Sequence, residues 1–70
     1  MNKLKELRKR YNYTYNQMAN FLDISKSYYW QLENGHRNLS YKMAINIAHI
    51  FKMTPDEIFY ADFIATKKQG

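Results

Sequence analysis

Apolar residues recur along this chain at helical spacing almost from its start. Leu4, Leu7, Arg8 and Tyr11 stand at i, i+3, i+4 and i+7, which turns them toward one face of a first helix and leaves Lys3, Lys5, Glu6, Lys9 and Arg10 on its wet side. Asn12 suits the left-handed residue that ends such a helix. Thr14 followed by Gln17 reads as a capping box and opens a second helix over 15–22, with Met18, Ala19 and Leu22 inward. Asp23, Ile24 and Ser25 form a short turn in which Ile24 plugs the gap between helices and Ser25 caps a third helix over 26–34. Gly35 then supplies the left-handed exit. After a polar loop from His36 to Leu39, Ser40 caps a fourth helix whose inner face is Ala44, Ile47, Ala48 and Phe51, ending near Lys52. Thr54, Pro55, Asp56 and Glu57 carry cap, first-position proline and acidic first turn in order, so a fifth helix is predicted through Ile58 and Phe59 toward Ile64.

The pattern predicts an all-α, compact five-helix domain spanning 1–70, with no repeat, linker or convincing strand. Composition narrows what it can do. A chain of 70 residues builds one small core, which leaves little room for a sheltered substrate or effector pocket. No nucleophile stands with a base, no carboxylates pair and no glycine-rich loop is present, so the expectation is a non-enzyme without cofactor. The absence of cysteine removes disulfides and thiolate metal sites, and His36 and His49 lack the companions that a zinc site needs. They are expected at the surface, with no metal. No apolar run reaches membrane-span length and the start lacks a secretory core, so a cytoplasmic protein is expected. Eleven Lys and Arg against six Asp and Glu give +5, a balance that favours polyanions.

The third helix carries the most informative surface. At about 100° per residue, Lys26, Ser27, Trp30, Gln31 and Asn34 share one arc, while Tyr28, Tyr29, Leu32 and Glu33 fill the other. The first arc holds donors, acceptors and one large aromatic without charge pairs of its own. Against a DNA major groove these types make chemical sense, since base edges are read by short directed hydrogen bonds. Gln31 can donate and accept at adenine, Lys26 can donate to the guanine acceptors N7 and O6, and Ser27 suits several bases. Trp30 has two placements, against a thymine methyl or sugar edge, or beside the second helix. Glu33 on the inward arc would need a partner if buried, and Arg8 on the inner face of the first helix is the candidate for a structural ion pair, unless both side chains reach solvent at the edge of the core.

From Leu7 to Phe59 the order of residue types resembles the phage repressor and Cro-type helix-turn-helix family, the lambda repressor-like or XRE fold. The resemblance is carried by LRKR, by TYNQMANFL behind a hydroxyl cap, by the turn and cap IS, by YYWQLENG, and by RNLS, IxxAxxF and DEIF. It implies a helix-turn-helix formed by the second and third helices, the third lying in the major groove of double-stranded DNA, and two protomers on a palindromic operator about one DNA turn apart. By position it makes Lys26, Ser27 and Gln31 base readers, with Trp30 beside them. Tyr15, Asn34, His36 and Arg37 fall where the family contacts phosphates, with Tyr28 and Asn38 as weaker members. Asp23 and Asn12 stand where the family carries glycines, and Leu39 where proline is common.

Residues 60–70 extend beyond that likeness. Tyr60, Phe63 and Ile64 are candidates for a homodimer contact, or else they cover the first helix of their own chain. The competing function is an antitoxin or accessory module that uses the same fold and its exposed aromatics to grip another protein.

Overall fold

A computed structural model describes residues 2–60. Its helices are α1 (Asn2–Arg10), α2 (Tyr15–Leu22), α3 (Lys26–Glu33) and α4 (Tyr41–Ile50), and a fifth, α5, is helical over 55–60, where the described residues end. Five helices and no strand are present among the described residues, which agrees with the all-α reading of the periodicity.

The starts follow from the caps. Thr14 accepts from the Gln17 amide at 3.0 Å while the Gln17 side chain accepts from the Thr14 amide at 2.9 Å, so both halves of the capping box form. Ser25 and Ser40 each accept from the amide three residues on, at 3.1 Å in both cases. At the head of α5, the Glu57 carboxylate accepts from the Thr54 backbone amide and hydroxyl, and this holds its carboxyl below the usual range.

The ends share one device. Asn12, Asp23, Gly35 and Lys52 all take positive φ, between 56° and 76°, just past the ends of α1, α2, α3 and α4. At each, the amide of the left-handed residue and the amide after it turn back to carbonyls of the last helical turn, as in Asp23 to Asn20 at 3.2 Å and Ile24 to Ala19 at 3.0 Å. This is the Schellman arrangement, which satisfies carbonyls that the helix leaves open. Three of the four positions carry a side chain, at a cost of roughly 1 kcal/mol each relative to glycine.

Every helix contributes to one core. Leu4 and Leu7 of α1, Met18 and Ala19 of α2, Tyr29 of α3, Ile47 and Ala48 of α4, then Phe51 and Ile58, are all buried and in mutual contact. Tyr11, expected on the inner face of α1, lies past the helix end and is 46% exposed. The helix stops at Arg10, so the i+7 spacing no longer applies to Tyr11; its ring instead meets the edge of Phe51 at 5.1 Å.

Tyr29 is fully buried, and its hydroxyl has no hydrogen-bond partner. Burial pushes its phenol far above the ordinary range, and the negative charge of Glu33 adds to the effect. A buried donor left unmade destabilises by about 1–3 kcal/mol. Tyr29→Phe is therefore expected to raise the stability of the chain by roughly 1 kcal/mol once the lost contacts of the oxygen are counted. Urea unfolding followed by circular dichroism checks the sign, and a lowered midpoint would show that the hydroxyl is satisfied in solution.

Candidate nucleic-acid interface

The site begins with the ion pair beneath it. Arg8 Nε donates to both carboxylate oxygens of Glu33, at 2.9 and 3.1 Å, and a second guanidinium nitrogen donates to the Tyr13 carbonyl at 2.9 Å. Both side chains are buried. One guanidinium thus joins α1, the end of α3 and the segment entering α2. Its free face covers the Tyr15 ring at 4.3 Å, and Tyr15 in turn lies 6.2 Å from Tyr29. Through that guanidinium the first ring of α2 is linked to the carboxylate that ends α3.

Above that support, α3 presents its polar side. Tyr29, Leu32 and Glu33 are buried, whereas Lys26 and Ser27 are exposed, Gln31 is half-buried and Trp30 is 42% exposed. Lys26, Ser27, Trp30 and Gln31 line one shallow cleft together with Tyr15. No acidic residue lines it, and the carboxylate nearest in sequence, Glu33, is held on the opposite side of the helix by Arg8.

The loop after α3 folds back along its last turn. Gly35 reverses the chain, so residues six apart come side by side: the Trp30 ring stacks on His36 at 5.2 Å with 8° between planes, and Arg37 Nε donates to Gln31 Oε1 at 2.8 Å. The Arg37 guanidinium also lies 5.4 Å from the Tyr28 ring. Asn34 directs one side-chain N–H to the Trp30 carbonyl at 2.9 Å, closing the helix end. His36, Arg37 and Asn38 are exposed, and Tyr28 is half-buried.

His36 covers one face of the Trp30 ring, and Trp30 shares the cleft with Tyr15 of α2. The i to i+6 pairs were not visible from helical periodicity, which runs at three and four. The signal that could have found them was Gly35, since a left-handed exit brings the following residues back over the turn just completed. Of the residues proposed for pairing, Tyr60 is exposed on α5, while Phe63 and Ile64 lie outside the described residues. His36 and His49 are both exposed, and no cluster that could hold a metal is found among the described residues. No helix among them is long and apolar enough to cross a membrane.

Two short helices meeting across a three-residue turn, the second offering a polar outer face, define a class of small helical domain built to lie against DNA. The family model for the helix-turn-helix domain matches residues 1–61, and the chain belongs to that family. DNA is accordingly its general partner and transcription regulation its general role. No curated protein and no solved structure matches the chain.

Proposed function

We propose that this chain is a sequence-specific regulator of the repressor and Cro type, which binds a palindromic operator as a homodimer with α3 in the major groove. The observation that carries this reading is the cleft on α3. It gathers Lys26, Ser27, Trp30 and Gln31 at the surface of a helix whose other side is anchored by a buried ion pair. A reading helix must be both exposed and held still, since misplaced donors lose their hydrogen bonds.

Lys26, Ser27 and Gln31 read base edges, with Trp30 against a thymine methyl or sugar. Tyr15, Asn34, His36 and Arg37 meet phosphates on either side, helped by Tyr28 and Asn38. The apolar groove between the start of α4 and α5, lined by Leu39, Tyr41, Ala44, Pro55, Phe59 and Tyr60, supports pairing with a second protomer. Tyr41 and Tyr60 expose large rings there.

Selection of bound duplexes from a random pool tests the whole reading. The expected product is an inverted repeat whose half-sites are about 34–36 Å apart. Affinity for random DNA should fall with salt at a log–log slope of about −0.9 per phosphate contact. The reading as an accessory protein-binding module draws on a different observation, the exposed Phe21 beside Tyr13 and Ile50. Failure to enrich any sequence, with binding that ignores salt, would favour that module.

A further inference from the structure

Arg37 has so far served as a phosphate contact, which would make it blind to sequence. Its hydrogen bond to Gln31 gives it a second task. We infer that Arg37 is a specificity-positioning residue that fixes the orientation of the Gln31 amide and thereby sets which base pair Gln31 accepts. This rests on the regulator reading above.

The argument is one of donors and acceptors. A free glutamine amide can turn over, exchanging its oxygen for its NH2 group at the same place in space, and so offers a base edge either order of donor and acceptor. A guanidinium has donors only, so the atom 2.8 Å from Arg37 Nε has to be the Gln31 oxygen. The turned-over amide would set two donors against each other. Gln31 is half-buried and lines the cleft beside Lys26 and Trp30, which narrows its remaining freedom. Arg37 is itself steadied at the Tyr28 ring and by the chain reversal at Gly35. The amide therefore reaches DNA with one order of donor and acceptor already set. Adenine presents the acceptor N7 beside the donor N6–H2, whereas guanine presents two acceptors, N7 and O6, so an amide held in one order pairs with adenine in a single alignment and sets its oxygen against an acceptor of guanine. Ordering the side chain in advance also reduces the rotamer freedom lost on binding.

The test compares the wild-type chain, R37A, Q31A and the double variant on four duplexes that differ at one base pair of a selected half-site. That pair is the one at which Q31A loses preference, and affinities are read by fluorescence anisotropy. Arg37 lies in an exposed loop, and matching thermal unfolding curves verify that R37A is folded. R37A is expected to weaken every duplex and, in addition, to reduce the preference at this pair by about tenfold. In the Q31A background, removing Arg37 should weaken all four duplexes by one common factor. A uniform loss for R37A alone would overturn the inference while leaving the regulator reading intact, as would a Q31A variant that keeps every preference. A wild-type chain without preference at any pair would overturn the regulator reading, and this inference with it.

Discussion

Glu33→Ala is expected to leave most of the chain unfolded at 25 °C. The carboxylate meets Arg8 through both of its oxygens, and both side chains are buried. Removing one partner of such a pair strands the other charge away from water, which destabilises by about 3–5 kcal/mol. A core of this size contributes only about 3–5 kcal/mol in all, so the two terms are comparable and the folded state loses its margin. The loss is also spread over the architecture, because the same guanidinium holds the Tyr13 carbonyl and covers Tyr15. Replacing both partners with apolar residues of similar size, Arg8→Met with Glu33→Leu, should recover most of the stability, since neither charge then needs a partner. Thermal and urea unfolding by circular dichroism distinguish the cases. A Glu33→Ala midpoint within about 0.5 kcal/mol of wild type would mean that Arg8 reaches water when released, and the pair would then be an ordinary surface contact.

The helix starts were legible because each rests on one local residue type. Thr14, Ser25, Ser40 and Thr54 each stand at the head of a helix, and a hydroxyl there acts within three residues of itself. The inward stripes were legible for the same reason wherever the helix persisted, as at Leu4, Leu7, Ala44, Ile47 and Ala48. Tyr11 shows the limit: a periodic pattern does not reveal where the backbone leaves the helix. Lys52 shows another. Its side chain has no special tolerance for positive φ, yet it adopts φ 56° because the hydrogen bonds from Lys52 to His49 and from Met53 to Ala48 close the end of α4. At Asn12 residue type announced the same conformation, and at Gly35 the missing Cβ did. The cleft itself was half legible. Periodicity grouped Lys26, Ser27, Trp30 and Gln31, but bringing Tyr15 beside them depends on how α2 crosses α3, and the contacts to His36 and Arg37 depend on a chain reversal. Those are tertiary facts.

Phe51→Ala should unfold the chain by a route that leaves the reading surface untouched, which makes it the complement of the Glu33 variant. Phe51 follows α4 and is buried among core residues contributed by all five helices. Its ring meets Tyr11 edge-on at 5.1 Å and lies 6.2 Å from Tyr13, which in turn meets Phe21 edge-on at 5.1 Å. Truncating a buried phenylalanine to alanine destabilises by about 3–5 kcal/mol, because the lost transfer energy is joined by the cavity left behind. The rings around it are held on the connection between α1 and α2 and on α2 itself, and cannot all move inward to fill the space. Phe51→Leu keeps most of the volume and should lose no more than about 1.5 kcal/mol. None of these aromatic partners lines the cleft on α3, so the molecules of Phe51→Ala that do fold should bind selected DNA as wild type does. Selected duplex at about 100 times the dissociation constant of the folded state would then return about 2.7 kcal/mol by mass action. Helical signal should recover on adding selected duplex and recover far less on adding random duplex at equal concentration. A Phe51→Ala chain that unfolds at the wild-type midpoint would remove Phe51 from the core. Full folding with impaired binding would instead mean that the aromatic chain reaches the reading helix by contacts other than those described.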